Sequence, residues 1–352
     1  MLKPSSAYWR HWLEMNRLHL IRSRTVTLMR LTAMTDTADQ VRQELLTAER
    51  VLVISHVRPD GDAVGSLLGL GLSLLEAGKE VQMVLADGVP QALRFLPGNE
   101  KILYQPSGAA DLTVVLDCSD FERVGSVVKH LGQPDINIDH HITNEHFARI
   151  NLVDATATAT SEMLAYYLPR WGLPVTTECA DALLTGILMD TIGFRTANVK
   201  PKTLRLVADL MDAGSKLAHL YKKALLQKSM NAVKLWGSGL SKLQREGSII
   251  WTTLSLEDRA RAEYVGRDDA DLINLLSFLN GADVAIVFNE QPEGKVKVSW
   301  RAQSDDKDVS QIAVRFGGGG HRAAAGAEIT GELTEVQSLV LDATRTLFER
   351  EA

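Results

Sequence analysis

The segment SHVRPDGDAVGS contains three side chains that could bind a metal ion. These are His56, Asp60 and Asp62, and Pro59 and Gly61 stand between them, where they favour a tight turn. Imidazole and carboxylate ligands together suit divalent first-row metals. We therefore expect a loop in which the three side chains approach one another and bind a divalent ion.

Three later segments supply further candidate ligands. Asp117 stands in VVLDCSD, and NIDHHITN gives Asp139, His140 and His141 in succession. Asp190 lies among apolar residues in LLTGILMDTIGF, where burying a carboxylate without a cation would cost several kcal/mol. Two divalent ions about 3.5 to 4 Å apart are the usual arrangement for in-line attack on phosphorus. The residue types therefore favour a two-metal site for phosphoester hydrolysis.

Each of these residues has a simpler explanation when it is taken alone. An aspartate after a strand is commonly a helix N-cap, and a lone histidine is commonly an ordinary surface or core residue. The metal interpretation depends on the combination, because four segments deliver ligands in the places where one α/β topology would bring them together.

The segments that carry these residues alternate between strand and helix patterns. Short apolar runs predict strands at 51–55, 81–86, 112–117 and 136–139. Helical patterns lie at 62–77 and near 120–131, and others follow at 157–170, 176–190, 201–213 and 216–243. This alternation predicts an α/β fold with a mostly parallel sheet and flanking helices, in which the candidate ligands lie at the carboxyl ends of strands, except for Asp190 within a helix.

A smaller α+β region is predicted in the last part of the chain. Its strand patterns lie at 248–254, 283–289 and 295–302, and a helix pattern covers 333–350. The segment FGGGGHRAAAGAEI lies between them, and its consecutive glycines could form an anion-binding nest of N–H groups, a plain hairpin or helix-entry turn being the alternative. We expect four parts: a basic, weakly ordered extension (1–36), a catalytic domain (37–228), a helical linker (229–244) and a substrate-binding domain (245–352).

Composition limits the functional classes that fit this chain. Its 352 residues with 45% hydrophobic and 23% charged content indicate a globular protein of about two domains. A net charge of -6 argues against binding long nucleic acid on a broad basic face and permits a small phosphorylated substrate. Cys118 and Cys179 are too few for a disulfide framework, and no apolar stretch reaches the roughly 18 residues of a membrane span. We therefore expect a soluble, cytoplasmic protein.

The beginning of the chain has a different charge balance from the rest. Residues 1–33 carry six basic residues against Glu14, which gives 6 − 1 = +5. A weakly ordered extension upstream of Met34 is the interpretation that we favour, and an arm for targeting or for nucleic acid is the alternative.

SHVRPDGDAVGS, VVLDCSD, IDHH and the helix with Asp190 together resemble the motifs of the DHH phosphoesterases, over about 51–196. GGGGH and KVKVSWRAQ are similar to segments of the DHH-associated domain, so the resemblance covers about 300 residues. It implies a two-domain hydrolase with two manganese ions and a two-metal hydroxide mechanism. Co2+ and Mg2+ are alternatives, although histidine ligands argue against magnesium.

The resemblance also implies a role for each candidate residue. One manganese would be bound by His56, Asp60 and Asp117, and the other by Asp62, Asp117, His140 and Asp190. Asp139 would fix the tautomer of His140, and His141 would face the phosphate or the leaving oxygen. Substrate contacts would come from Arg301, Gly318, Gly319, Gly320 and His321. Arg195 follows the Asp190 segment and is expected to face the same cleft, where it is a secondary candidate for substrate contact. The alternative for Arg195 is a cation at a helix end that interacts with the last carbonyl groups. The alternative for Arg301 is a solvated arginine at the end of a strand.

Within the family, the length and the GGGH segment most resemble the branch that acts on oligoribonucleotides of a few units and on 3'-phosphoadenosine 5'-phosphate (pAp). That likeness implies a short single-stranded RNA or small nucleotide as substrate, no long duplex, no membrane, and a homodimer as an option. The alternatives are a soluble phosphodiesterase for cyclic or linear dinucleotides, a manganese inorganic pyrophosphatase, and a nucleotide sensor without catalysis.

Overall fold

The computed structural model describes residue 34, residues 36–303 and residues 307–349, with the side chains of 128–130 and 347–349 left out. Two compact units make up the chain, Met1–Gln227 and Lys228–Ala352. The basic segment 1–33 lies outside the described residues, so the prediction of a weakly ordered extension stays a prediction. Residues 229–244, expected to be a linker, fall within the second unit.

A six-stranded parallel sheet forms the centre of the first unit. Its strands are β1 (Arg50–Ile54), β2 (Glu80–Val84), β3 (Ile102–Leu103), β4 (Leu112–Leu116), β5 (Ile136–Asp139) and β6 (Ile150–Val153). The strand order is β3-β2-β1-β4-β5-β6. Because the order reverses between β1 and β4, a crevice is expected at their carboxyl ends, where open α/β sheets bind ligands. The predicted α/β fold with a mostly parallel sheet is confirmed.

Helices flank this sheet, and one of them, Gly61–Glu76, connects β1 to β2. They are α1 (36–47), α2 (Gly61–Glu76), α3 (Thr160–Trp171), α4 (Thr177–Asp190), α5 (Pro201–Asp212) and α6 (Leu217–Tyr221). The predicted helix at 120–131 is wrong as an α-helix: Glu122–His130 consists of 3-10 turns, interrupted at Gly125 with φ 77°. The single predicted helix at 216–243 is also wrong, because a π-helical turn at Lys222–Leu226 and an extended Gln227 end α6 before the next helix begins.

Helices α2 and α4 approach each other closely because α2 presents glycines at every fourth position. A Cβ atom on Gly65 would lie 2.6 Å from the carbonyl oxygen of Ala182 and 2.9 Å from the Cα of Gly186. Added Cβ atoms on Gly61 and Gly69 would also meet side chains of α4. Helix α2 is buried from Gly61 to its last turn, which explains its apolar sequence on all sides. The two helices therefore pack with their backbones in contact.

The second unit contains a mixed six-stranded sheet in the order β11-β12-β10-β9-β8-β7. The strands are β7 (Gln244–Glu246), β8 (Ile249–Leu254), β9 (Val284–Gln291), β10 (Lys295–Ala302), β11 (Gly319–His321) and β12 (Ala324–Thr330). Strands β8 and β9 are parallel and the other neighbours are antiparallel. Its helices are α7 (Met230–Leu240), α8 (Leu256–Arg261), α9 (Leu272–Leu276), α10 (Ser310–Arg315) and α11 (Leu333–Glu349). The predicted smaller α+β region is confirmed.

Apolar side chains cover both faces of the second sheet. One cluster surrounds Phe288 and Trp300, and another contains Leu235 and Leu272 from α7 and α9. Within the part of the chain that the structure describes, we find no helix with both the length and the apolar character that crossing a membrane requires.

Candidate metal centre

The turn between β1 and α2 positions three of the candidate ligands. Asp60 is the N-cap of α2, and its Oδ1 accepts hydrogen bonds from the N–H groups of Asp62 and Ala63, both at 3.0 Å. The imidazole Nδ1 of His56 lies 2.9 Å from the carbonyl oxygen of Val57. Because a carbonyl can only accept, Nδ1 carries the hydrogen and Nε2 presents a lone pair, as a metal-binding imidazole requires.

Asp117 follows β4 and lies between two imidazoles. Its Oδ2 is 3.7 Å from Nε2 of His56, and its Oδ1 is 3.6 Å from Nε2 of His140. Asp117 is buried, and its backbone has φ 54°, the left-handed region that aspartate tolerates better than most residues. The carboxylate therefore has one oxygen available to each of two neighbouring groups of ligands.

His140 follows β5 and meets carboxylates from two helices. Its Nε2 lies 3.8 Å from Oδ2 of Asp62 on α2 and 3.6 Å from Oδ2 of Asp190 on α4. Two ligand atoms that are each about 2.1 Å from one ion lie roughly 3 to 4 Å apart. These separations therefore fit a shared cation.

The six predicted ligands come together as two groups that share Asp117. Nitrogen and oxygen atoms of His56, Asp60 and Asp117 lie within 4.8 Å of one another, and so do those of Asp62, Asp117 and His140. Asp190 joins the second group through its contact with His140. The grouping is the one that the family resemblance implies, and metal binding by these residues stays a prediction.

The electrostatics of the site favour a cation. Burial, followed by the nearby carboxylates of Asp117 and Asp190, raises the pKa of Asp62 well above its usual value. Burial alone would also raise the pKa of Asp117, but the neighbouring imidazoles of His56, His141 and His140 lower it instead. Carboxylates packed this closely repel one another, and divalent cations would offset that repulsion. The donor set therefore fits the predicted pair of ions.

Asp139 holds the ring of His141. Its Oδ1 lies 2.7 Å from Nδ1 of His141 and accepts the backbone N–H of His140 at 2.8 Å. Burial alone would lower the pKa of His141, but the hydrogen bond with Asp139 and the charges of Asp117 and Asp139 raise it to about 9. The expected action of Asp139 on the tautomer of His140 stays a prediction, whereas its contact with the His141 ring is observed.

Three residues beside the ligands were missed in the sequence. The side-chain amide of Asn144 donates to Oδ2 of Asp139 at 2.6 Å. Backbone N–H groups of Thr160 and Ser161, at the start of α3, donate to the carboxylate of Asp62. Asn144 could have been noticed because it ends NIDHHITN, but no sequence pattern marks a backbone donor.

Arg195 lies in the turn after α4, where its backbone N–H donates a hydrogen bond to the carbonyl oxygen of Thr191 at 2.8 Å. The residue is exposed and belongs to the same unit as the six candidate ligands. Burial of part of its side chain lowers the pKa of its guanidinium. Its contact with substrate stays a prediction.

Arg301 and the glycine-rich segment belong to the second unit. The Nε of Arg301 donates to Oδ1 of Asn274 at 3.1 Å, so the arginine is held in place on β10. Gly319 and Gly320 pair with β12 as part of an antiparallel hairpin. A Cβ on Gly318 would lie 2.2 Å from the carbonyl oxygen of Gly326. The hairpin alternative therefore describes this backbone, and substrate binding by Gly318, Gly319, Gly320, His321 and Arg301 stays a prediction.

Two protein-family models match the chain: the DHH family N-terminal domain at residues 50–187 and the DHHA1 domain at residues 263–347. The chain is 38% identical to the bifunctional oligoribonuclease and PAP phosphatase NrnA of Thermus thermophilus, over 85% of this chain and 90% of that relative. It is 27% identical to the Bacillus subtilis protein of the same name, over 80% of this chain and 90% of that relative. The fold is also similar to the crystal structure of an exopolyphosphatase-related protein from Bacteroides fragilis, with a TM-score of 0.81 and 25% sequence identity. That match covers 90% of this chain and 98% of the Bacteroides fragilis chain.

Proposed function

Since the chain belongs to the DHH family and is a hydrolase of phosphoester bonds, we propose that it shortens oligoribonucleotides of a few units and converts pAp to AMP and phosphate. Members of this family depend on metal ions, and the first unit has His and Asp clusters that could bind them. The observation that carries the proposal is that six candidate ligands form two groups sharing Asp117, in a chain 38% identical to an enzyme named for both activities.

We propose two manganese ions as the cofactor. His56, Asp60 and Asp117 would bind one, and the other would be bound by Asp62, Asp117, His140 and Asp190. When bound, the ions would supply an acidified water molecule and positive charge that offsets the negative charge developing on phosphorus. The mixture of imidazole and carboxylate ligands supports manganese or cobalt over magnesium.

Protein groups would orient the substrate and move the proton. His141 is oriented through Nδ1 by Asp139, and its Nε2 would face the leaving oxygen and donate to it. Arg301 can bind a phosphate through two parallel hydrogen bonds, and the hydrogen bond to Asn274 fixes its orientation. Arg195, Gly318, Gly319, Gly320 and His321 are the further proposed substrate contacts.

We propose the cytoplasm as the location, because Cys118 and Cys179 are buried thiols rather than a disulfide. In that compartment, short RNA fragments and pAp would be available as substrates.

The proposal is tested by assaying the purified full chain with Mn2+ against four substrates: pAp, the dinucleotide pApA, an RNA pentamer and pyrophosphate. We expect release of AMP and phosphate from pAp, and of mononucleotides from pApA and the pentamer. Hydrolysis of pyrophosphate alone would replace the proposal with a pyrophosphatase, and cleavage of the dinucleotide alone would indicate a dinucleotide phosphodiesterase. Nucleotide binding without turnover of any substrate would indicate a sensor. Repeating the assay with Co2+ and Mg2+ identifies the preferred metal.

A further inference from the structure

The first turn of α3 contacts two of the candidate ligands, Asp62 and Asp117. The backbone N–H of Thr160 donates to Oδ2 of Asp62 at 2.6 Å, and the N–H of Ser161 donates to Oδ1 of the same carboxylate at 2.9 Å. N–H groups at a helix N-terminus are not used within the helix, and the helix dipole there favours negative charge. The start of α3 therefore holds Asp62 by both oxygens.

The side chain of Thr160 makes a separate contact. Its hydroxyl donates to Oδ1 of Asp117 at 3.1 Å, and both side chains are buried. A carboxylate oxygen has two lone pairs, so Oδ1 can accept this hydrogen bond and still bind a metal ion. One residue therefore touches two candidate ligands, Asp62 through its backbone N–H and the shared Asp117 through its hydroxyl.

A buried glutamate fixes the position of this turn. Oε2 of Glu162 accepts hydrogen bonds from the N–H of Thr158 at 2.8 Å and from its hydroxyl at 2.5 Å. The hydroxyl of Thr203, on α5, donates to the same oxygen at 3.3 Å, and Nζ of Lys202 lies 3.3 Å from Oε1. Because α5 and the start of α3 are tied through Glu162, the N–H groups that face Asp62 are held in a fixed place.

The contact of Thr160 with Asp117 is not needed to form the helix. Glu162 already bonds to Thr158, just before α3, in the manner of a capping box. The backbone N–H at position 160 would persist with any residue except proline. The hydroxyl therefore has a role toward the site rather than toward the helix.

We propose that Thr160 is a positioning residue for the metal centre, whose hydroxyl orients the shared carboxylate of Asp117. This inference rests on the metal centre of the proposed function, although it does not depend on which substrate is cleaved. Hydrogen bonds to a ligand fix its orientation, and losing one typically lowers metal affinity by about 10 to 100-fold.

The test compares Mn2+ binding by three variants of the full chain, using calorimetric titration and the electron paramagnetic resonance signal of free Mn2+. Thr160→Val removes the hydroxyl and keeps both the shape and the backbone N–H, and Thr160→Ser restores the hydroxyl. The matched control is Thr252→Val, because Thr252 is also buried and its hydroxyl donates to the carbonyl oxygen of Gly239 in the second unit.

We expect Thr160→Val to bind Mn2+ about 10-fold or more weakly than the unaltered chain, with Thr160→Ser and Thr252→Val within about 3-fold of it. Without metal, the two valine variants should have unfolding temperatures that are lowered by similar amounts. A loss of Mn2+ affinity in Thr160→Val alone would then reflect positioning of the ligand rather than general destabilisation. Unchanged affinity in Thr160→Val, or no recovery in Thr160→Ser, would overturn the positioning role alone. Failure of the unaltered chain to bind Mn2+ would overturn the metal centre itself, and turnover of the four substrates above tests the substrate assignment separately.

Discussion

Asp117 has a different position from the other candidate ligands because it belongs to both groups. Its oxygens face His56 on one side and His140 on the other. Loss of Asp60 or Asp190 would weaken the binding of one proposed ion, whereas loss of the Asp117 charge would weaken the binding of both. The difference can be measured with single substitutions.

Asp117→Asn keeps the shape of the side chain and removes its charge, so we expect turnover of pAp to fall by more than about 100-fold, beyond the typical effect of a residue that only orients a ligand. Steady-state kinetics at saturating Mn2+ measure this change. The control is Asp111→Asn, since Asp111 pairs with Arg50 at the surface, away from the candidate ligands, and exposed ion pairs of this kind contribute little to stability. Turnover of Asp117→Asn close to that of the control would contradict the shared-ligand assignment.

Arg301→Ala should act on binding rather than on chemistry. If Arg301 binds the phosphate equally in the ground state and the transition state, KM rises by about 10-fold while kcat changes little. Initial rates over a range of pAp concentrations separate the two constants. Arg345→Ala is the control, because Arg345 lies in the same unit and pairs with Glu246. A fall in kcat with an unchanged KM would place Arg301 in the chemical step instead.

Residue type and position were sufficient to find the candidate ligands but not the groups that hold them. His56, Asp117 and His140 each follow an apolar strand, and such positions meet at one edge of a parallel sheet. Thr160 and Ser161 act on Asp62 through backbone N–H groups, which every residue except proline possesses. Their contribution depends on where α3 begins in space, which residue types alone do not specify.

At the scale of the elements, the contact between α2 and α4 brings Asp62 and Asp190 to His140. Gly65 and Gly186 allow this contact, because a Cβ on Gly65 would overlap the backbone of α4. An added Cβ on Gly186 would lie 2.9 Å from Oδ1 of Asp62. The spacing of the helices therefore controls both packing and the candidate site.

Gly65→Ala should lower the free energy of unfolding by about 1 to 3 kcal/mol, because the added methyl group overpacks the helix contact. Urea unfolding of the metal-free chain gives this value. Gly237→Ala is the control, since nothing lies within 4 Å of a Cβ built on Gly237 in α7, and alanine there should stabilise by about 0.5 to 1 kcal/mol. Equal stability of the two variants would show that α2 and α4 can move apart without cost.

Prediction of the elements depended on their length and on their interruptions. Strands with a clear apolar run, such as β1 and β4, were predicted within one or two residues. Strand β3 has only two residues, too few for a pattern, and β6 was missed as well. The prediction of one helix at 216–243 failed because periodicity did not reveal that the helix is interrupted by the extended residue Gln227, just before the second unit begins.

At the scale of the whole molecule, each unit has its own hydrophobic core, and the six candidate ligands all lie in the first. The strand and helix patterns of the sequence predicted this order, with an α/β region first and a smaller α+β region after it. Mn2+ should therefore stabilise the first unit directly, because it would offset the repulsion among buried carboxylates.

Calorimetric unfolding of the full chain tests this expectation. One ion at about 100 times its Kd adds about 2.7 kcal/mol to the unit that binds it, so Mn2+ should raise the unfolding temperature and EDTA should lower it. Asp117→Asn should show a smaller rise. A transition that does not respond to Mn2+ would show that these carboxylates do not form a metal site.

The backbone contact between α2 and α4 has a consequence for the choice of ion. Long side chains can adjust to cations of different radius, but two helices whose main chains touch cannot come closer, and moving them apart would open their packed interface. Calcium prefers oxygens at about 2.3 to 2.6 Å and 6 to 8 of them. A pair of glycines well inside the protein would thus help to exclude large cations, although neither glycine has a side chain with which to bind one.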